Sequence, residues 1–141
     1  MFKTVFYEGK DHFEEPFSVR EKVFMHEQGF KNEIDEKDEV SVHCVILDDD
    51  KPVACGRFFF EEEDCATIGR IAVLKEYRKH HLGKQVMENI ELELKKRGFK
   101  AAVLSAQCQA QGFYQKCGYT AYGDVYYDEH CPHIQMKKEL I

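Results

Sequence analysis

The sequence contains no long apolar run, no C-x-x-C pair and no linker-like tract, and each absence excludes a class of protein. No apolar stretch in the 141 residues approaches the roughly 18 residues of a membrane-spanning helix. The first residues, Met1 to Glu8, lack the long apolar core and the small-residue cleavage site of a signal peptide. We therefore expect a cytoplasmic protein with no membrane partner.

The cysteines show no spacing that indicates a disulfide framework or a zinc site. They stand mostly inside apolar runs, at Cys44, Cys55, Cys65, Cys108, Cys117 and Cys131. We interpret them as reduced core residues of an intracellular protein. The nearest approach to a set of metal ligands is His130-Cys131-Pro132-His133 together with Cys108 or Cys117. Its spacing fits no common zinc pattern, so we expect no metal.

The charge balance argues against a nucleic-acid partner. The chain carries 26 acidic and 20 basic residues, a formal net charge of −6, whereas nucleic-acid-binding domains are usually basic on one face. The aromatic residues also lie in apolar runs rather than between basic ones. No repeat and no Pro/Gly/Ser-rich tract marks a boundary, so we expect a single domain over residues 1–141.

Hydrophobic periodicity predicts alternating strands and helices. Short apolar or alternating runs predict strands at 2–7, 41–47, 53–60, 68–74, 101–106, 119–127 and 133–138. Apolar residues at helical spacing predict helices at about 13–29, 82–97 and 110–117. Residues 31–40 are predicted to form a charged loop. This order of elements is typical of an α/β or α+β fold with a mixed sheet.

The stretch from Ile68 to Lys84 combines a buried-strand pattern, a basic turn and the start of the longest predicted helix. The first turn of a helix leaves backbone N–H groups unpaired, and the helix dipole places partial positive charge there. The side chains of Arg78, Lys79 and Lys84 add to that charge. The arrangement predicts a phosphate-binding site on an otherwise acidic protein.

Two common phosphate motifs do not fit this turn. A P-loop has Ser or Thr after its lysine, but Gln85 follows Lys84, and Arg78 stands where the first glycine belongs. A dinucleotide fingerprint needs three glycines, and the turn contains Gly83 alone. The phosphate site must therefore be of another kind.

The turn resembles the pyrophosphate loop of the GNAT superfamily, the acyl-CoA-dependent N-acetyltransferases. That loop consists of Gln or Arg, two residues, Gly, one residue, and Gly or Ala. Here it reads Arg78-Lys79-His80-His81-Leu82-Gly83, with His81 at the first glycine position. The stretch Gln107 to Tyr119 contains A-x-x-F-Y-x-K-x-G-Y and resembles the second GNAT signature.

Two further segments resemble the ElaA/YjcF-like branch of small bacterial GNAT proteins. One is Val19-Arg20-x-x-Val23-Phe24-x-x-Glu27-Gln28, followed by Glu33, Asp35 and Asp38. The other is Pro132-His133-x-x-Met136. The resemblance covers the chain from about residue 19 to residue 138. It implies the GNAT fold, a central mixed sheet of about six to seven strands flanked by helices.

The resemblance also implies acetyl-CoA as cofactor and transfer of its acetyl group to an amine. It places the backbone of Ile71, Ala72 and Val73 beside the pantetheine arm, with the N–H of Val73 as donor to the thioester oxygen. It makes Tyr114 the general acid for the leaving thiolate, whereas spacing alone favours an aromatic packing residue. The other cofactor contacts that it implies are Arg78, Lys79, His80, His81, Leu82, Gly83, Lys84, Gln107, Phe113 and Lys116.

The sequence leaves the general base open. Candidates that could face the acceptor are Glu27, Asp35, Asp38, His43 and His133, and water could also relay the proton. Glu27 is our first candidate. Three arginines need partners, since Arg57 and Arg70 interrupt apolar strands and Arg20 belongs to the first helix. They either pair with Glu27 or Asp38 or bind an anionic group of the acceptor.

We expect the acceptor to be a primary amine on a small molecule. Its predicted contacts are Arg20, Glu27, His43, Arg57, Arg70 and His133. His81 could crowd the cofactor or turn its imidazole toward the phosphates, because glycine at that position allows a close backbone approach. The alternative function is an acyl-CoA-sensing or degenerate GNAT-fold binding module without turnover. The resemblance allows a homodimer, which no stretch of the sequence requires.

Overall fold

The structure is a computed structural model, and it describes residues 1–9, 14–31 and 35–140. Its strands are β1 (Phe2–Glu8), β2 (Val42–Asp48), β3 (Lys51–Glu62), β4 (Cys65–Val73), β5 (Ala101–Gln107), β6 (Thr120–Asp128) and β7 (Cys131–Glu139). Its α-helices are α1 (Glu14–Arg20), α2 (Leu82–Lys96) and α3 (Gln111–Lys116). A π-helical turn at Glu21–Glu27 continues α1, and 3₁₀ turns lie at Glu36–Glu39, Lys75–His80 and Cys108–Ala110.

The strands of the described residues form one mixed sheet in the order β1-β2-β3-β4-β5-β7-β6. All neighbouring strands are antiparallel except β4 and β5, which are parallel. A parallel pair needs a long crossover, and α2 provides it. The predicted mixed sheet flanked by helices is therefore confirmed.

Helices α1 and α2 cover opposite faces of this sheet. On β3, Gly56 faces α2, because a Cβ atom there would lie 2.8 Å from Val86 and 3.0 Å from Ile90. The next residue, Arg57, points to the other face, since side chains alternate along a strand. The predicted apolar stripe of α2 is buried, at Leu82, Val86, Met87, Ile90 and Leu94.

The parallel strands β4 and β5 pair along only part of their length. Cys65–Ile68 pair with Ala101–Leu104, and the two strands diverge beyond that point. The divergence begins where β4 is irregular: Arg70 has a φ of 53°, and the register between β3 and β4 shifts opposite it. An extra residue of this kind bends a strand. The centre of the sheet therefore opens into a gap.

The predicted elements differ from the observed ones mainly at their ends. β4 begins at Cys65 rather than Ile68, and the charged loop contains the 3₁₀ turn Glu36–Glu39, which Asp35 caps. The basic turn is also 3₁₀-helical, and the first helix ends as a π-helical turn. The predicted helix start at residue 13 lies outside the described residues, as does Glu33.

The cysteines and the hydropathy of the helices complete this description. The six cysteines, all within the described ranges, are free thiols; Cys44, Cys55 and Cys131 are buried, and the other three are half-buried. In the part of the chain that the structure describes, no helix is long and apolar enough to cross a membrane.

Candidate active site

The gap between β4 and β5 holds a cavity of about 720 Å³, a volume typical of small-molecule sites. The predicted site residues that line it are Arg70, Ile71, Ala72, Val73, Arg78, His81, Gly83, Lys84, Gln107, Phe113, Tyr114, Lys116 and His133. The bent end of β4, the start of α2 and the short helix α3 bring most of them together. Most of the predicted cofactor residues thus lie in one cavity, together with Arg70 and His133 of the predicted acceptor residues.

The N–H of Val73 points into this gap. Leu74 donates its N–H to the carbonyl oxygen of Val53 at 2.9 Å. Hydrogen-bonded and non-hydrogen-bonded pairs alternate along an antiparallel ladder. The next pair, Ala54 with Val73, is therefore a non-hydrogen-bonded pair, and the backbone N–H and C=O of Val73 point away from β3. Since β5 does not pair with β4 here, the Val73 N–H is directed at the cavity.

His81 takes the backbone conformation that a glycine would take at this position. Its φ of 57° and ψ of 30° lie in the left-handed region, where His occurs more often than most other non-glycine residues. The loop can therefore take the same backbone path as it would with glycine, and the exposed imidazole lines the cavity. Among the described residues no side chain caps α2, so its first N–H groups remain available to an anion.

Close packing favours glycine at the second loop position. A Cβ atom on Gly83 would lie 3.3 Å from the ring of Phe113 and 3.7 Å from Val73. This contact joins the start of α2 to α3 and to the end of β4. The loop, the predicted oxyanion donor and the helix of Tyr114 therefore form one packed unit.

Arg78 is held by Glu27, the residue that we considered first as base. The guanidinium donates to both carboxylate oxygens at 2.6 and 2.7 Å, and its Nε donates to the carbonyl oxygen of Val73 at 3.1 Å. The hydrogen bonds from Arg78 lower the pKa of Glu27 and outweigh the effect of its desolvation. Glu27 is thus a weak proton acceptor and does not line the cavity.

Three predicted cofactor residues also lie away from the cavity lining. Leu82 is buried in the core, because it begins the apolar stripe of α2. His80 packs against the rings of Phe2 and Tyr77, with centroid distances of 5.5 and 5.9 Å. Lys79 is exposed outside the lining. The strand–turn–helix pattern predicted the loop but not which of its side chains turn inward.

Three of the six predicted acceptor residues, Arg20, His43 and Arg57, belong to a buried network around Asp38 instead of lining the cavity. Asp38 has 0% exposure and binds Arg20 at 2.7 and 3.1 Å and Arg57 at 2.8 Å. Asp35 binds Arg57 at 2.7 Å and Arg70 at 3.3 Å. Desolvation would raise the pKa of Asp38, but the hydrogen bonds and charges of the two arginines lower it to about 2.

This network corrects the placement of three predicted acceptor contacts. Arg20 and Arg57 satisfy Asp38, as the ion-pair interpretation expected, and neither lines the cavity. The Nε2 of His43 lies 3.1 Å from the carbonyl oxygen of Asp38 and donates to it. Desolvation is the main cause that lowers the pKa of this buried histidine. Arg70 alone of the three arginines reaches the cavity, while its charge is paired with Asp35.

Tyr114 both packs and lines the cavity. Its ring meets Phe113 and Tyr119 edge-on, with centroid distances of 5.0 and 6.3 Å. Desolvation, together with the nearby Cys117 thiol, raises the pKa of Tyr114 well above its usual value. The phenol is therefore protonated at neutral pH, as a general acid must be, and its raised pKa makes it a weaker acid than a free phenol.

Several cavity residues were not predicted from the sequence. Phe24 and Gln28 lie in a segment used for the family resemblance, but its helical spacing did not predict that their side chains face the cavity. Gln28 accepts a hydrogen bond of 2.7 Å from Gln107, which fixes that predicted residue across the cavity. Local sequence patterns carry no signal for the rest, which include Phe30, Ser105, Asp128 and Glu129.

His133 is the predicted acceptor residue that the structure holds most firmly at the cavity. Only 6% of it is exposed, and its Nδ1 lies 2.9 Å from the carbonyl oxygen of Cys131. Its ring stacks on Tyr126 with a centroid distance of 6.1 Å. Within the described ranges, no group of three His, Cys, Asp or Glu side chains is placed to hold a metal ion.

The cavity in the open sheet thus combines a basic loop before a helix with a half-buried tyrosine. The model of the acetyltransferase (GNAT) family matches residues 6–119. This chain belongs to the GNAT family. It is 35% identical over 140 residues to the uncharacterized N-acetyltransferase YjcF of Bacillus subtilis, a match that covers 97% of this chain and 99% of that protein.

Solved structures show the same GNAT fold. A protein from Lactobacillus plantarum assigned as an N-acetyltransferase has a TM-score of 0.90 and 28% identity, with 99% of each chain covered. ElaA of Escherichia coli has a TM-score of 0.88 and 26% identity, with 99% of this chain and 100% of that one covered. The predicted GNAT fold, the ElaA/YjcF-like branch and the assignment as an acyltransferase enzyme are confirmed.

Proposed function

We propose that this GNAT enzyme transfers an acetyl group from acetyl-CoA to a primary amine on a small molecule. The observation that supports it best is the backbone N–H of Val73, which faces a gap in the sheet next to an uncapped helix start. The basic lining residues Arg78, Lys84 and Lys116 surround that start. A pyrophosphate suits the helix start, and an extended pantetheine arm suits the unpaired edge of β4.

The proposed chemistry uses two groups of the chain. Acetyl-CoA supplies the acetyl group as an activated thioester. The Val73 N–H donates to the thioester oxygen, which becomes negative as the amine attacks, and a preorganised donor of this kind contributes roughly 3–4 kcal/mol. Tyr114 gives its proton to the sulfur as the C–S bond breaks, and solvent restores the phenol.

Thermal unfolding with and without acetyl-CoA tests the binding part of this proposal. A ligand at a hundred times its dissociation constant stabilises the fold by about 2.7 kcal/mol, which is several degrees for a domain of this size. We expect a shift with acetyl-CoA and none with ATP or NAD. Absence of a shift at saturating acetyl-CoA would contradict the proposal and would mean that His81 closes the loop.

Tyr114→Phe tests the chemical part. The variant should keep the acetyl-CoA shift, because the ring still packs against Phe113 and Tyr119. Its turnover, measured as CoA thiol release with a panel of primary amines, should fall by about 100-fold or more. If the wild-type protein binds acetyl-CoA but releases no thiol with any amine, the binding-module alternative is correct instead.

A further inference from the structure

The cavity has different charges around its two ends. Near the loop and α3 its lining contains Lys84, Lys116 and His81, together with Arg78, whose charge is paired with Glu27. Where β6 turns into β7 the lining contains the acidic residues Asp128 and Glu129. The turn is fixed next to the cavity, since the backbone N–H of Lys31 donates to Glu129 at 3.1 and 3.2 Å. An anionic cofactor and a cationic second substrate would therefore be attracted to opposite ends.

The acidic end also has an apolar wall. Phe24 and Phe30 are each 9% exposed and pack edge-on, with a centroid distance of 6.3 Å. Phe30 continues the wall to His133, at a centroid distance of 6.4 Å. Arg70, which also lines the cavity, is already paired with Asp35. This end therefore suits a ligand with an apolar body and a positive charge rather than one with a carboxylate.

His133 is built as a proton acceptor at this wall. A carbonyl oxygen can only accept, so the contact with Cys131 requires the proton on Nδ1 and leaves the lone pair on Nε2. The rings of Tyr126 and Phe30 fix the plane of the imidazole. Among the described residues Nε2 has no hydrogen-bond partner, and it is not one of the atoms shut off from solvent. A base oriented by a second group is the usual arrangement in proton-transfer sites.

We infer that the acidic end of the cavity binds the ammonium group of an apolar primary amine and that Nε2 of His133 removes its proton. This inference rests on the proposed function. An alkylammonium group resembles that of lysine, whose pKa is about 10.4, so a proton must leave before the nitrogen can attack. The sequence alone could not distinguish His133 from four other candidates. The structure separates them, because Asp35, Asp38 and Glu27 are paired with arginines, whereas His43 is 1% exposed and does not line the cavity.

The protons balance in this scheme. His133 takes one proton from the ammonium and passes it to solvent through the open cavity. The neutral nitrogen forms the N–C bond, the C–S bond breaks, and Tyr114 protonates the sulfur. The nitrogen loses its second proton to solvent, and solvent returns one proton to Tyr114. The net products are an amide, a free thiol and one proton in solution.

The test compares His133→Asn with His130→Asn on two amines of the same shape. Asparagine keeps a donor for the Cys131 carbonyl but provides no base, and His130 is a matched control that packs on Phe30 at 4.9 Å without lining the cavity. The amines are 2-phenylethylamine and its β,β-difluoro analogue, whose ammonium group is a much stronger acid. The measured quantities are kcat and KM for thiol release and the thermal shift with acetyl-CoA.

We expect His133→Asn to lower kcat with 2-phenylethylamine by about 100-fold or more, with the acetyl-CoA shift retained. With the difluoro analogue most of that loss should disappear, because this amine is already neutral at working pH. His130→Asn should behave as wild type with both amines. An equal loss with both amines would show that His133 is only structural, and no loss would also overturn its role.

The substrate class has its own control. L-Phenylalanine has the same aromatic body as 2-phenylethylamine with an added carboxylate, and the acidic end should exclude it. Asp128→Asn combined with Glu129→Gln should raise KM for 2-phenylethylamine and reduce this discrimination. If wild-type protein binds acetyl-CoA but prefers phenylalanine or acetylates neither amine, the inferred class is wrong. If it does not bind acetyl-CoA, the proposed function itself fails.

Discussion

A single carboxylate, that of Asp38, holds together the first helix, the central strand β3 and the turn before β2. It has no exposed surface and is bound by Arg20 and Arg57. An isolated charge at this depth would be strongly destabilising, whereas a paired one roughly balances its desolvation. The network thus fixes three segments in position more than it adds stability.

Asp38→Asn should destabilise the protein by about 3–5 kcal/mol, because it leaves two buried guanidinium groups without their shared partner. Urea denaturation measures this change. The exposed neighbour Glu36→Gln is the control and should leave the midpoint unchanged. A loss below about 1 kcal/mol in Asp38→Asn would show that Asp35 alone satisfies Arg57.

The same residue predicts how stability depends on pH. Its folded-state pKa, at about 2, is lower than its ordinary value, so the folded state favours the ionised form. The stabilisation is complete above about pH 4 and is lost as the pH falls toward 2. Denaturation midpoints of the wild type should therefore decrease across this interval. In Asp38→Asn the decrease should be smaller, and an identical slope in both proteins would contradict the assignment.

At the scale of elements, the position of α2 depends on the absence of a side chain on β3. The helix crosses the sheet at Gly56, where an added Cβ atom would lie 2.5 Å from the end of Ile71 and 2.8 Å from Val86. The start of α2 is also the start of the candidate phosphate site. The packing of one strand glycine thus determines where the loop stands relative to β4.

Gly56→Ala should lower the free energy of unfolding by about 1–3 kcal/mol, since overpacking a closed core forces side chains or the helix to move. Gly69→Ala on β4 is the matched control, because no atom lies within 4 Å of its Cβ position. Urea midpoints of the two variants measure the difference. Equal stability would mean that Ile71 and Val86 rotate away without cost.

The sequence predicted elements whose signal is local. The stripe of α2 and the seven strands follow from spacing within each segment, and the family motifs identified the loop and Tyr114. Pairings between distant segments could not be predicted from local spacing. For example, Arg78 binds Glu27, which lies 51 positions away in the chain. The sequence also does not predict the bend of β4 at Arg70. The left-handed backbone conformation of this arginine is set by the surrounding packing rather than by its residue type.

At the scale of the whole molecule, the gap in the sheet exposes some β4 amides and protects others. The N–H of Val73 points to the gap, whereas that of Ala72 is directed at β3 by the same alternation. Hydrogen exchange measured residue by residue should show a fast Val73 amide that slows when acetyl-CoA is added. The Ala72 amide should be slow in both states. Equal exchange of the two amides without ligand would contradict the described ladder.

The short pairing of β4 with β5 also divides the sheet into two parts. The four paired residues from Cys65 to Ile68 are the strand contact between β1–β4 and the remaining sheet, whereas β5 and β7 pair over their full length. Across this boundary, Glu91 of α2 binds Lys138 and Tyr119 at 2.7 and 2.9 Å. A ligand in the gap would touch both parts of the sheet, so its binding would stabilise them together.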